Sequence, residues 1–266
     1  MREFLTSGVL PDHELIRLAT LVSGMPRFDV LRGVELSQVQ WQELDDLVRA
    51  RLGGVPLQHL EGTVQFGPLE LLCDARALIP RPETEYLWEL VVARITDRPH
   101  DIIVDMCTGG GCLAFALKHA FPEATVYGAD SDPQALELAN ENGSHTGLAV
   151  EMLGGDLFDA LPRELRGRVD LLVVNPPYIA ESEFSTLPVE VRDHDPKRAL
   201  VAGVTGAETY SRIARNWIGW MKSGGMLALE IGETQGREVA EMFTVSSPEV
   251  VADLTGRERF VFGTAP

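Results

Sequence analysis

The chain has 266 residues, 45% apolar and 24% charged, which suits one catalytic unit of roughly 200 residues with a smaller appendage and excludes a disordered chain. A formal net charge of −17 argues against a long contact with a phosphate backbone, so no nucleic-acid partner is expected. The three cysteines, Cys73, Cys107 and Cys112, form no CxxC pair and have no histidine at metal-ligand spacing, so they read as reduced thiols and no metal is expected.

The opening residues, Met1 to Thr6, lack the apolar run of a signal peptide, and no stretch approaches the ~20 apolar residues of a membrane span, so the expectation is a cytoplasmic protein without membrane contact. Leu15, Ile16, Leu18, Leu21 and Val22 fall near helical spacing over residues 12–24, and Ser37 to Leu52 repeats the pattern behind a possible serine cap. These helices predict a small N-terminal helical domain over 1–62, in which Gly53-Gly54 stops the second helix and marks a hinge. A hairpin linker is expected over 63–80, where Gln65 to Pro80 turns at Gly67-Pro68. Arg81-Pro82-Glu83-Thr84-Glu85 then opens a helix reaching about Ile95, because an early proline and acids in the first turn are start signals.

Beyond Pro99 short apolar runs alternate with helical segments, which predicts an α/β fold with a doubly wound, mostly parallel sheet in a catalytic domain over 81–266. Strands are expected at Ile102 to Met106, Thr125 to Asp130, Glu151 to Gly155, Asp170 to Asn175 and Met226 to Ile231. Helices are expected at Cys112 to His119, Pro133 to Asn142 and Ala207 to Met221. Two last runs, around Glu249 to Leu254 and Arg259 to Gly263, suit a terminal antiparallel pair at one edge. His13, His59, His100, His119, His145 and His194 share no spacing and read as structural or surface residues.

Three loops in this region carry ligand-binding signals. Val104-Asp105-Met106-Cys107-Thr108-Gly109-Gly110-Gly111-Cys112 is an apolar strand, three glycines and a helix start, where glycine lets backbone approach a ligand closely. Dinucleotide enzymes use a similar unit, so this loop alone does not name the cofactor. About twenty residues on, Asp130 ends a strand and can accept both hydroxyl hydrogens of a ribose, with Asp132 as its nearest rival and helix capping as the alternative duty of such an acid. Asp156 closes the next strand, placed so that it and the Leu157 backbone can address an adenine amine, or serve only as a turn residue.

The fourth strand ends in Asn175-Pro176-Pro177-Tyr178. Prolines stiffen this corner and lack amide hydrogens, so its carbonyls act only as acceptors. The Asn175 side-chain oxygen and the Pro176 carbonyl can each take one hydrogen of a substrate NH2 group, aiming the nitrogen lone pair at a sulfonium methyl, while Tyr178 packs over the planar group.

With these elements, the chain resembles the HemK/PrmC type of glutamine N5-methyltransferase, which modifies the glutamine of the Gly-Gly-Gln motif in peptide release factors. The likeness runs over nearly the whole length and includes Pro56 to Gly62, Leu78 to Glu85, the glycine loop, Asn175 to Tyr178, Glu190 to Asp193 and Gly256 to Arg259. It implies a class I methyltransferase fold, Rossmann-like, with a seven-stranded sheet, helices on both faces, and the N-terminal helices serving substrate recognition. It implies S-adenosyl-L-methionine as cofactor, bound by Asp105, Thr108, Gly109, Gly111, Cys112, Asp130 and Asn175, with Asp156 and Leu157 at the adenine. By the same resemblance Asn175, Pro176 and Tyr178 would be catalytic, and Phe66, Arg81, Pro82, Glu83, Thr84, Pro177 and Tyr178 would meet a peptide release factor.

Some positions depart from that family's pattern. Gly67 follows Phe66 where a bulky residue is usual, the loop reads Cys-Thr-Gly-Gly-Gly, and His194-Asp195-Pro196 stands for an aromatic-Glu-Pro. These changes keep a second acceptor class open, a free amino acid amide or a guanidino group, to which an acidic surface is suited.

Overall fold

The computed structural model describes residues 8–33, 35–95 and 101–266, so the opening residues Met1 to Thr6, Pro99 and His100 lie outside the described residues. Four helices come first: α1 (Asp12–Ser23), α2 (Arg27–Gly33), α3 (Gln38–Leu52) and α4 (Leu57–Glu61). They bury Leu15, Leu18, Val30 and Leu44 in a cluster of their own. Ser37 accepts the Gln40 amide hydrogen while the Gln40 side chain accepts that of Ser37, the reciprocal cap that fixes the start of α3. Helices α2 and α4 were not expected, because seven and five residues are too few to display a 3.6-residue period.

Next come β1 (Thr63–Phe66) and β2 (Leu69–Leu72), antiparallel with Phe66 opposite Leu69, so the turn falls at Gly67-Pro68 as read. The hairpin is shorter than the 65–80 expected. Residues 73–80 form no strand and lead as a strap to α5 (Pro82–Ile95). Gly67 has φ +52, and a Cβ there would lie 2.9 Å from the Trp88 ring on α5. Bulk beside the hairpin tip therefore comes from α5. Gly67→Ala is expected to lower unfolding free energy by about 1–3 kcal/mol, summing left-handed strain and displacement of the ring. An unchanged denaturant midpoint would contradict this.

The remaining elements are β3 (Ile102–Met106), α6 (Cys112–Ala120), β4 (Thr125–Asp130), α7 (Pro133–Thr146), β5 (Glu151–Gly154), β6 (Val169–Val174), β7 (Ile179–Ala180), α8 (Val189–His194) and α9 (Lys197–Leu200). After them come β8 (Val201–Gly203), α10 (Glu208–Asn216), β9 (Met221–Glu230), α11 (Gly236–Met242), β10 (Glu249–Ala252) and β11 (Glu258–Thr264). Seven strands form one sheet in the order β10-β11-β9-β6-β3-β4-β5. Strands β5, β4, β3, β6 and β9 are parallel, and β11 runs antiparallel to both β9 and β10, the terminal pair the sequence suggested.

Side chains alternate between the two faces of this sheet. Val104, Met106, Leu172, Val174, Leu227 and Leu229 enter one buried cluster with α10 and α11, while Ile103, Leu171, Val173 and Ala228 enter another beneath α5 and α6. Both faces being covered explains why β3 and β6 read as continuous apolar runs.

Two boundaries differ from expectation. Helix α10 stops at Asn216, and β9 begins at Met221 rather than Met226, because Trp217, Trp220 and Met221 all turn into the core and extend the apolar pattern across the break. The short β7–β8 sheet and α11 were also unforeseen. Among the described residues no helix is long and apolar enough to cross a membrane, and no group of three or more His, Cys, Asp or Glu is arranged to hold a metal ion.

Candidate active site

Parallel register places the polar strand ends side by side. Met106 is level with Ala129 on β4 and Val174 on β6, and Val174 is level with Leu229 on β9. The next row along the sheet edge is therefore Asp130, Cys107, Asn175 and Glu230. Alternation turns Asp130, Asn175 and Glu230 away from the Met106 face and towards α5, whereas Cys107, with φ 62, leaves the strand pattern and packs against the Met106 cluster. The row lies at the carboxyl ends of the parallel strands. Strand order reverses there between β3 and β6, which is where open α/β sheets bind ligands.

A cavity opens at this edge. Its wall includes Asp105, Thr108, Gly109, Cys112 and Asp130 on the glycine-loop side, and Thr84, Arg81, Asn175 and Pro177 on the other. Leu71 to Asp74, Arg76 to Leu78 and Arg198-Ala199 complete its wall. This part of the wall is tied down at several points. Buried Asn142 on α7 accepts the Leu72 amide hydrogen at 2.6 Å and donates to the carbonyls of Leu72 (3.2 Å) and Gly110 (3.0 Å). Arg76 forks between Asp74 on the strap and Glu141 on α7. Asp195 ion-pairs with Arg81, so the residue replacing the family's usual glutamate still supplies a carboxylate, one whose pKa burial raises against the pull of Arg81.

Asp105 is 1% exposed. Its Oδ2 accepts from the Thr108 hydroxyl at 2.6 Å and the Ala114 amide at 3.0 Å, whereas Oδ1 has no hydrogen-bond partner among the described residues. A buried acceptor left open in a cavity wall suits a cationic ligand group, such as an ammonium. Asp130 accepts from the amides of Gly109 and Asp132, each at 2.9 Å, and burial raises its pKa. Asp132 is otherwise engaged, capping α7 through the Gln134 amide and ion-pairing with Arg198. The Gly155 amide donates to the Asp130 carbonyl at 3.0 Å, which draws the loop after β5 against this corner.

At the other end Asn175 Nδ2 donates to Thr84 Oγ1 at 3.1 Å, and that hydroxyl donates to Glu230 at 2.7 Å. Gln235, just past β9, donates to the Tyr178 carbonyl at 3.2 Å and to that of Gly206 at 3.3 Å. Neither Glu230 nor Gln235 was singled out from sequence. Glu230 carries the signal that found Asp130, an acid ending an apolar strand, whereas the loop holding Gln235 gives none.

Several expected residues lie outside the cavity wall. Phe66 is 1% exposed and packs in the core with Leu87 and Val91, because the final alternation of β1 turns it inward, so it does not line an approach. Pro82 and Glu83 sit on the first turn of α5, and Gly111 caps α6 behind the loop. Pro176 is buried, and Tyr178 packs half-buried against the core. Asp156 is exposed and paired with Arg212 at 2.5 Å, while Leu157 adopts φ 50 beside it.

Burial pushes the carboxyls of Asp105 and Glu230 each up to about 7. The folded chain then holds protons that an unfolded chain releases at the ordinary carboxylate value, so their contribution to stability is fullest below that value and is lost as pH rises through about 7. Glu230→Gln cannot ionise at this position. Its melting temperature should fall less than that of the unaltered protein between pH 5 and 8, and parallel curves from calorimetry would refute the assignment.

The chain matches the methyltransferase small domain family model over residues 87–191. Its fold is shared with a crystal structure of a methyltransferase from Pyrococcus furiosus, with TM-score 0.55 and 14% identity, covering 75% of this chain and 90% of that one. Sequence likeness is much stronger to the release factor glutamine methyltransferase of Mycolicibacterium smegmatis, 45% identical over 227 residues, covering 83% of this chain and 78% of the relative. The corresponding protein of Deinococcus radiodurans is 41% identical over 218 residues, covering 81% and 77%. Identity at this level across most of both chains, joined to the fold of a methyltransferase, means that the chain belongs to the release factor glutamine methyltransferase family.

Proposed function

We propose that this enzyme methylates the glutamine amide of the Gly-Gly-Gln motif in a peptide release factor, using S-adenosyl-L-methionine. The observation that carries the reading is the Asn175 amide in the cavity wall, its nitrogen committed to Thr84 and its oxygen left as an acceptor. Family membership supports the acceptor, since the relatives' names specify a release factor glutamine. Those names do not favour a free amino acid or guanidino compound.

When bound, S-adenosylmethionine supplies a methyl group already activated on a sulfonium. The residues fit that ligand. Asp130 and the Gly109 backbone would hold the ribose end and the open Oδ1 of Asp105 would face the ammonium side, while Asp156 and the Leu157 amide, outside this cavity and with Asp156 paired to Arg212, would have to exchange that partner to address the adenine. Asn175 Oδ1 and the Pro176 carbonyl would each accept one hydrogen of the glutamine NH2, with Pro177 and Tyr178 closing the corner over it. Thr84 on α5 and Arg81 just before it would flank the acceptor. Alignment and exclusion of water supply the rate enhancement, and no strong base is needed, because the amide nitrogen becomes acidic as its bond to the methyl carbon forms and then releases one hydrogen as a proton to solvent.

Incubation with labelled S-adenosylmethionine and either a Gly-Gly-Gln release-factor domain or free amino acids tests the reading. Label is expected on the protein acceptor. Label found only on a small molecule, or only on an added oligonucleotide, would end it.

A further inference from the structure

We infer that Glu230, acting through the Thr84 hydroxyl, fixes which way round the Asn175 amide sits and is thereby a positioning residue for methyl transfer. The inference rests on the proposed role of Asn175 as the acceptor of substrate hydrogens.

A primary amide has two ends of nearly equal size and opposite hydrogen-bonding sense, so rotating it by half a turn exchanges an acceptor for a donor. Only one orientation of Asn175 can receive a substrate NH2. The other would set two donors face to face. Something must therefore discriminate between them, and proline-locked backbone cannot, because it leaves the terminal amide torsion free.

The buried chain Asn175–Thr84–Glu230 supplies that discrimination. A threonine hydroxyl has a single hydrogen. Glu230 Oε2 takes it at 2.7 Å, so Thr84 faces Asn175 with a lone pair, and only the NH2 end of the amide can meet a lone pair, as it does at 3.1 Å. Oδ1 is then the end left free. Without an acceptor at position 230 the hydroxyl is free to donate to Asn175 Oδ1, and the amide turns its nitrogen to the substrate. Both relay residues are 2% exposed, so water does not substitute for the missing partner. A buried carboxyl is costly, and among the described residues the Thr84 hydroxyl is the only side-chain donor to the Glu230 carboxyl, the Tyr210 hydroxyl donating instead to the Glu230 backbone carbonyl.

Sequence separation adds weight to the arrangement. Asn175 follows β6 and Glu230 ends β9, neighbours through the sheet register, and Thr84 opens α5, which packs over that face of the sheet. Their hydrogen-bond senses agree without a conflict.

The test uses the full-length enzyme, S-adenosylmethionine and a Gly-Gly-Gln release-factor domain. Thr84→Val and Glu230→Leu are each expected to lower kcat by about 100-fold, with KM for both substrates and calorimetric cofactor affinity within about threefold of the unaltered enzyme. Thr84→Ser and Glu230→Gln, which keep the hydroxyl and an acceptor oxygen, should recover rates to within about tenfold of it. Thr84→Val combined with Asn175→Ala should be no slower than Asn175→Ala alone, since the relay acts only through that amide. Full activity in Thr84→Val and Glu230→Leu, an equal loss in Thr84→Ser, or multiplied losses in the double variant would each overturn the proposal. Should Glu230→Leu fail to fold, the serine and valine pair at Thr84 and the double variant decide. Were the unaltered enzyme to methylate some other planar nitrogen instead, the release-factor reading would fall, and the same rate ratios on that acceptor would still judge the relay.

Discussion

Asn175→Ala is expected to slow methyl transfer by about 1000-fold, on the order of 4 kcal/mol in the barrier, while leaving S-adenosylmethionine affinity within a few-fold of the unaltered enzyme. Asn175 sits across the cavity from Asp130, and among the described residues its side-chain hydrogen bond is the donation to Thr84. Removing the side chain therefore deletes an acceptor at the nucleophile without touching the Gly109–Asp130 contact that shapes the cofactor end. An amide nitrogen is weakly nucleophilic, so its rate depends on how well its lone pair is held in line, and the effect should fall on kcat rather than on KM. Cofactor binding by calorimetry and single-turnover transfer together check the division. Loss of both in equal measure would mean that Asn175 serves the cofactor as much as the acceptor.

The fold was legible in the sequence wherever burial imposed a period or a continuous run. Strands β3, β4, β5 and β6 fall within a residue or so of their expected bounds, because both sheet faces are covered and the runs are bounded by glycine, proline or acids. Expectation failed where segments are too short to show a period, as in α2, α4 and the β7–β8 pair, and where Trp217 and Trp220 carried an apolar pattern through a helix end. The candidate site was legible for the same reason: Asp105, Asp130 and Asn175 stand at or near the ends of apolar strands, where polar residues have no packing role to explain them. Phe66 misled because aromatic character marks core and binding surface alike, and only the strand's alternation decides between them. Glu230 was missed although it ends β9 in the same way, because its importance lies in a partner 146 positions earlier in the chain, a pairing that no local pattern reports.

Asp130→Ala is expected to weaken S-adenosylmethionine binding by about 100-fold or more, the loss of charge-assisted hydrogen bonds worth roughly 1.5–3 kcal/mol each. Both oxygens of this carboxylate already accept backbone amides, from Gly109 and Asp132, which leaves lone pairs for a ligand's hydroxyls and makes Asp130 the clamp between the glycine loop and the loop after β4. Truncation thus removes ligand contacts and loosens the loop that approaches the ligand. Asp132 offers the control. Its carboxylate caps α7 and pairs with Arg198, so Asp132→Ala should cost about 1 kcal/mol of stability with a much smaller change in affinity. Acidification gives an independent check, because burial raises the Asp130 pKa and protonation converts one acceptor oxygen to a donor, so affinity should fall on the acid side sooner than an ordinary aspartate would cause. If calorimetry shows Asp130→Ala binding as tightly as the unaltered enzyme while Asp132→Ala does not, the ribose clamp belongs to Asp132 and the cofactor lies one turn nearer α7.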